Sequence, residues 1–132
     1  MINTNVFDYI NILDKAADAA WLRNNAISNN IANVDTPHYK RQDVGFELEL
    51  QRALGNSHFE TMDAKVSDIN KRQIGKLNPY VFTDQADHSY RLDGNNVDID
   101  TENVYLAENQ ITYNAILDSI NQEFSNLKMV MK

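Results

Sequence analysis

The sequence predicts a mainly α fold. Long N- and C-terminal helices pair as a coiled-coil-like hairpin, with a small irregular and β-hairpin region between them. Three observations carry that expectation. Apolar residues recur at alternating steps of four and three over about 30 residues at each end of the chain, the spacing of a helix with one buried seam. The punctuation that bounds these patterns, Thr36-Pro37 and Asp93-Gly94, lies inside the chain. The 132 residues include only 4 Gly and 2 Pro, too few turn residues for a compact all-β chain. The length suits one modest domain and not two independent cores.

The first segment, residues 1–34, reads as an axial helix. Its seam runs Val6, Ile10, Leu13, Ala17, Ala20, Asn24, Ile27, Ile31, Val34, with one polar break at Asn24. Asn3 or Asn5 can cap the start, and Asp8 sits where the helix dipole favours an anion. Pro37 pushes Thr36 out of the α region, so the helix ends near Asn33 or Val34. Asn11, Asn24, Asn25, Asn29, Asn30 and Asn33 each cost up to ~0.7 kcal/mol against Ala, roughly 4 kcal/mol in all. An amide can donate and accept across an interface without burying a charge. The amides therefore suggest a helix that gains order from neighbouring subunits. Trp21 lies off the seam and reads as a flanking packing or interface residue.

Residues 35–97 form the middle region. Asp43–Leu54 is ambiguous: Val44, Phe46, Leu48 and Leu50 alternate like a strand, whereas Phe46, Leu50, Ala53 and Leu54 suit a helix, and a short helix ended by Gly55 is the expectation. Met62, Val66, Ile69 and Gln73 mark a further short helical face. Tyr80–Thr83 and Ser89–Leu92 read as the two strands of a hairpin, marginal by itself.

Residues 98–132 repeat the design of the first segment. Leu106, Gln110, Tyr113, Leu117, Ile120, Phe124, Leu127 and Met131 follow the same spacing. Asp98 is the N-cap candidate, and Asp100 and Glu102 load the first turn with negative charge.

Net charge is −7, and no segment forms a basic stripe, so neither nucleic acid nor an anionic membrane surface is an expected partner. No run approaches 18 apolar residues, so no direct membrane insertion is expected. The start lacks a basic region followed by an apolar run and does not read as a secretory signal. The chain has 0 Cys. His38, His58 and His88 show no ligand spacing. The oxygen-rich stretch from Asp93 places Val97 and Val104 where calcium loops need ligands. No nucleophile elbow, phosphate-cradling loop or zinc motif occurs, so the expectation is no cofactor, no metal and no catalysis.

Residues 29–50, NNIANVDTPHYKRQDVGFELEL, resemble the signature of bacterial flagellar axial proteins, an Asn-Ile-Ala-Asn tetrapeptide followed by Thr-Pro-x-Tyr-Lys. Here it is carried by Asn29, Asn30, Ile31, Ala32, Asn33, Thr36, Pro37, Tyr39 and Lys40. The continuation through Arg41, Asp43, Phe46 and Glu47, together with residues 91–127, is similar to the proximal rod protein FlgB family. In that second stretch the matching residues are Asp93-Gly94-Asn95-Asn96-Val97, Glu102, Ala107-Glu108-Asn109-Gln110 and Tyr113. His38 stands where that family usually has Gly, a position that would suit a positive φ.

The resemblance implies a structural subunit of the basal-body rod in the periplasm, exported without a cleaved signal through the flagellar type III apparatus. Its partners would be other copies of itself, other rod proteins, and the export gate and adaptor at the rod base. Ile10, Leu13, Ala17, Ala20, Asn24, Ile27 and Ile31 of the first helix would form the assembly interface with Leu106, Gln110, Tyr113, Leu117, Ile120, Phe124 and Leu127 of the last. Asn29, Asn30 and Asn33 would bond between subunits, and Thr36-Pro37 would turn the chain from an inner tube to the outer surface. Competing readings are a neighbouring axial rod subunit of the FlgC type, a generic coiled-coil adaptor and a small-molecule enzyme. The stretch AENQITYNAIL argues against the first, and no sequence feature supports the other two.

Overall fold

The computed structural model of the chain describes residues 5–86 and 91–132. Its elements, in order, are α1 (Asn5–Ala32), β1 (Gln42–Gly45), α2 (Glu47–Gly55), α3 (Met62–Arg72), β2 (Tyr80–Thr83) and α4 (Ile99–Val130). At ~1.5 Å per residue the two end helices are rods of roughly 42 and 48 Å. Asn5 is already helical, and the alternative cap Asn3 lies outside the described residues.

α1 is the centre of the fold. One face carries Ile12, Ala16, Ala19, Leu22 and Ala26 into an apolar core completed by Val44, Phe46, Leu50, Ala53, Leu54, Ile69 and Leu77 of the middle region. Its N-terminal half is clipped to α3 by polar pairs. Tyr9 donates to Asp63 at 2.7 Å, Asn11 donates to Asn70 at 3.1 Å, and Asn70 donates to the Asp8 carbonyl at 2.9 Å. The opposite face meets α4, which runs antiparallel: Asn30 is joined to Glu102, and Ala20 to Asn109.

Asp98 caps α4 as expected, accepting from the Asp100 N–H at 3.1 Å and from the Thr101 hydroxyl at 2.9 Å. The rotation of α4 differs from the expectation. Besides Thr101 and Asn126, its buried or half-buried positions are Glu102, Leu106, Asn109, Tyr113, Ile116, Ile120, Glu123 and Leu127, while Gln110, Leu117 and Phe124 are exposed. The two sets share every second layer and differ by one residue in the others. The cause is polar: Glu102 and Asn109, the two fully buried side chains of α4, must each meet a fixed partner on or beside α1, and that sets which face turns inward.

The middle region corrects two further expectations. The short helix ended by Gly55 is present as α2, but it begins only at Glu47: the start of the Asp43–Leu54 stretch is strand β1, because Val44 and Phe46 both point into the core while the chain is extended. β2 lies where it was expected, yet its antiparallel partner is β1, in the register Gln42↔Thr83 through Gly45↔Tyr80. Arg91 and Leu92 lie in a loop, and Ser89 and Tyr90 fall outside the described residues. Packing against α1 gives β1 the support that a free hairpin lacks. Gly45 lets the Tyr80 ring lie across the strand, since a Cβ at that position would stand 2.5 Å from it.

Candidate assembly site

The end of α1 is held by side chains that arrive from far along the chain. Asn30 is 0% exposed. Its amide nitrogen donates to the Gln42 carbonyl (2.8 Å) and to Glu102 (3.1 Å). Its oxygen accepts from the Gln42 N–H (2.8 Å) and the Tyr39 hydroxyl (3.2 Å). Those four bonds use the full capacity of an asparagine side chain. Toward Gln42, Asn30 behaves like the backbone of a neighbouring strand, bonding both its N–H and its C=O. The expected bonding between subunits therefore does not hold for Asn30, whose amide is spent inside its own chain. Asn33 likewise donates to the Asn29 carbonyl at 2.8 Å and accepts from the Thr36 hydroxyl at 3.1 Å.

The carbonyls of the turn that follows α1 need donors too, and the loop 91–97 supplies them. Asn95 is buried, and its amide nitrogen faces the carbonyls of Asn33, Val34 and Thr36 at 2.9, 3.0 and 2.9 Å. Arg91 donates to the Val34 carbonyl at 2.8 Å. Asn96 accepts from the Arg41 N–H and donates to the carbonyls of Asp84 and Ala86. The His38 N–H donates to the Asp93 carbonyl at 2.8 Å. His38 has φ 61° and Gly94 φ 74°, so the position where related chains are expected to carry Gly does adopt the left-handed conformation.

Beside this turn lies an ionic clasp. Arg41 hydrogen-bonds Glu102 and Asp43 and lies 5.2 Å from the centre of the Tyr105 ring. Glu102 is 1% exposed. Arg23 grips Glu47 at 2.6 and 2.8 Å, Asp43 at 3.3 Å and the Val44 carbonyl at 2.8 Å. α1, β1, α2 and the first turns of α4 are thus tied by one network. Burial opposes the charge of Arg41, but its hydrogen bonds to Glu102 and Asp43 more than offset this and leave the guanidinium raised. The hydrogen bond from Arg23 holds Glu47 below the usual carboxylate range against the effect of burial. Burial, then the charge of Glu102, pushes the Tyr39 hydroxyl up.

The structure sorts the sequence-derived interface residues into three groups. Ala20, Ile27 and Asn30 are buried. Ile10, Leu13, Ala17, Asn24, Ile31, Asn33, Tyr39, Lys40, Leu106, Tyr113, Ile120 and Leu127 are half-buried. Asn29, Ala32, Thr36, Pro37, Gln110, Leu117 and Phe124 are exposed. Sequence reasoning missed the structural weight of Arg23, Arg41, Asn95, Asn96, Glu102 and Asn109. Most of these fall in the stretches that carry the family resemblance, which was the signal available.

Comparison with known proteins places the sequence in a family. Residues 10–40, which are most of α1 and the turn that follows it, match the family model described as "Flagella basal body rod protein". The chain is 35% identical over 119 residues to the flagellar basal body rod protein FlgB of Bacillus subtilis, covering 90% of this chain and 89% of that protein. It is 34% identical over 135 residues to FlgB of Borrelia hermsii, with 97% and 99% covered. Against FlgB of Cereibacter sphaeroides it is 36% identical over 110 residues, with 83% of each covered.

Proposed function

The chain belongs to the FlgB family of flagellar basal body rod proteins, and from that premise, a structural subunit of the basal-body rod, we propose that it builds the proximal rod by packing α1 and α4 against those helices of neighbouring copies and of other rod proteins. In this reading the assembled helices surround the export channel and transmit torque, and the subunit contacts the export gate and adaptor at the rod base. It reaches its place in the periplasm through the flagellar type III apparatus. Its role is mechanical, with no catalytic step.

The observation that carries the assembly reading is the bare apolar surface of α4. Val104, Tyr105, Ile111, Leu117, Phe124, Met129 and Val130 are exposed, Ile111 by 70%. Scattered apolar residues are ordinary on a protein surface, but several faces of one helix carrying them is the mark of a helix meant to be covered. Trp21 adds to the same surface from α1. Contacts between unlike faces that do not close generate helical assemblies, the geometry that a rod needs.

Ile111→Asp and Leu117→Asp test this reading. Ile111→Asp should leave the unfolding free energy of the purified chain within about 1 kcal/mol of wild type, because that side chain is 70% exposed; Leu117→Asp, at a side chain 37% exposed, should cost about 1–2 kcal/mol and leave the chain folded. Each should abolish swimming and leave cells without hook and filament. Normal motility in both variants would refute the role of this surface. Normal flagella in a strain lacking the gene would refute the rod-subunit role itself.

A further inference from the structure

The outward faces of α4 and α3 are opposite in charge. From Ile99 to Leu127, α4 carries Asp100, Glu102, Glu108, Asp118 and Glu123 and no lysine, arginine or histidine. Glu102 is ion-paired with Arg41. Asp100 and Asp118 stand about five turns apart, so at ~3.6 residues per turn they point the same way, and both are exposed. Val104 and Ile111 lie between them on that side, also exposed, opposite the buried Glu102 and Asn109. Glu108 flanks this ridge about one turn before Ile111, at the mouth of the cavity that Arg23 and Arg41 line. No ion pair joins Asp100, Glu108 or Asp118 to another of the described residues.

On α3 the balance is reversed. Between Met62 and Lys76 the chain holds Lys65, Lys71, Arg72 and Lys76 against Asp63 and Asp68, a positive stretch in a chain of net charge −7. Asp68 pairs with Arg72 at 2.8 Å, and Asp63 accepts from Tyr9. No ion pair joins Lys65, Lys71 or Lys76 to another of the described residues. The buried Val66 and Ile69 fix the inward face of α3. Lys71 lies on the other side of the helix, Lys76 follows in the turn after it, and both are exposed.

These two faces cannot meet within one molecule. α3 is bonded to the face of α1 away from α4, and the Ile111 ridge points away from α1. Two helix contacts of ~8–10 Å each lie between them, and then the body of α4 itself. A second copy can bring them together.

We propose that the outward face of α3 in one copy docks on the outward ridge of α4 in a second copy, with Lys71 and Lys76 against Glu108 and Asp118 and their methylene stems over Ile111. Lysine stems cover apolar surface while their charges stay at the rim, which suits a ridge where isoleucine stands between carboxylates. The inference rests on the rod-subunit reading and deepens it by naming what covers the outermost line of α4. The flank that holds Leu117 and Phe124 is left for α1 and α4 of other neighbours. Because the two faces are unlike and lie on opposite sides, each copy offers one of each, and copies add without closing. Such charge complementarity sets register and orientation more than affinity.

The test begins with the unaltered chain. An equal mixture of unlabelled and nitrogen-heavy protein is held at about 1 mM to populate a weak contact. Salt at about 0.1 M screens charges more than ~10 Å apart. A carbodiimide then condenses lysine amines with the carboxylates they touch. Peptides joining Lys71 or Lys76 to Glu108 or Asp118 should carry mixed isotopes, the mark of a bond between molecules. In sedimentation, Lys71→Glu/Lys76→Glu and Glu108→Lys/Asp118→Lys should each weaken self-association about tenfold, and the four changes combined in one chain should restore it. All four positions are exposed, and far-UV circular dichroism identical to wild type establishes that the fold is intact. The proposal is overturned by the absence of mixed-isotope links between these residues, by reversals that leave association unchanged, or by a combined variant that associates no more tightly than its parents. Those results beside a rodless deletion strain would sink this contact alone, whereas normal flagella in the deletion strain would sink the subunit reading.

Discussion

Replacing Asn30 by alanine separates a residue that builds the fold from one that joins subunits. The substitution removes four hydrogen bonds at once. It leaves the N–H and C=O of Gln42 without partners, at about 1 kcal/mol each for partly buried groups. Glu102 loses one of its two donors, worth about another 1–1.5 kcal/mol because the acceptor is charged and buried. Alanine returns at most ~0.7 kcal/mol in helix propensity. The balance is a loss of about 2–3 kcal/mol. Asn29→Ala next door is the control: its side chain is exposed, so only the propensity gain remains and the protein should be unchanged or slightly more stable. Urea unfolding of both variants, followed by far-UV circular dichroism with the slope held in common, measures the difference directly. If Asn30→Ala lies within about 0.5 kcal/mol of Asn29→Ala, near the reach of an ordinary surface substitution, the argument that this amide is committed inside its own chain is wrong.

Three further outcomes are expected. Glu102→Ala removes one of the two carboxylates that Arg41 hydrogen-bonds and one partner of Asn30, and should cost about 2–3 kcal/mol; Arg41→Ala, which leaves the buried Glu102 without its cation, should cost at least as much, and the double variant clearly less than the sum, since the two share one interaction. Additive losses in urea would show that they act separately. Glu47 titrates below its ordinary value of 4.5, chiefly through its hydrogen bond from Arg23. Its contribution is therefore present above that pH and is lost as pH falls through the depressed folded value. Glu47→Gln should be less stable than wild type at pH 7 by no more than about 1 kcal/mol, given how exposed the pair is, and the gap should vanish in acid; a gap that widens below pH 4 contradicts the sign. His38→Gly relieves a left-handed residue at φ 61° and should raise stability by about 0.5–1 kcal/mol after the entropy of glycine is counted. A melting temperature below wild type would mean that the imidazole makes a contact worth more than the strain.

The long helices could be read from the sequence because their apolar spacing persists over so many turns, and α3 because Val66 and Ile69 fall on one face. The facing of α4 could not. A pattern of apolar residues weighs Leu117 and Phe124 above Ile116 and Glu123, yet Glu102 and Asn109 decide the rotation, through partners 72 and 89 residues away. Asn30 was visible as an oddity but not as a fold residue, because three of its four bonds are to Gln42 backbone or to a tyrosine hydroxyl. Bonds to backbone leave no mark on the identity of the partner. The pairing of β1 with β2 was hidden for the related reason that two four-residue strands carry little signal and a local hairpin is the cheaper guess.

These misses have a common consequence for how the molecule is organised. The contact between α1 and α4 is built around buried polar residues, while isoleucine, leucine and phenylalanine side chains of α4 face outward. A polar contact that must satisfy every donor admits one rotation and one register, so the helix arrives at assembly already turned to present its apolar faces. An apolar seam in the place of Glu102 and Asn109 would bind α1 at least as well, but in several registers, and would draw Leu117 and Phe124 inward. Mutations should therefore fall into two separable classes. Changes at Asn30, Arg41, Glu102 or Asn109 lower the stability of the purified chain, whereas changes at Ile111, Leu117 or Phe124 leave it folded and stop it from assembling. A screen that scores solubility and motility independently would find both classes, and finding every motility defect accompanied by misfolding would mean that the outward apolar faces have no partner.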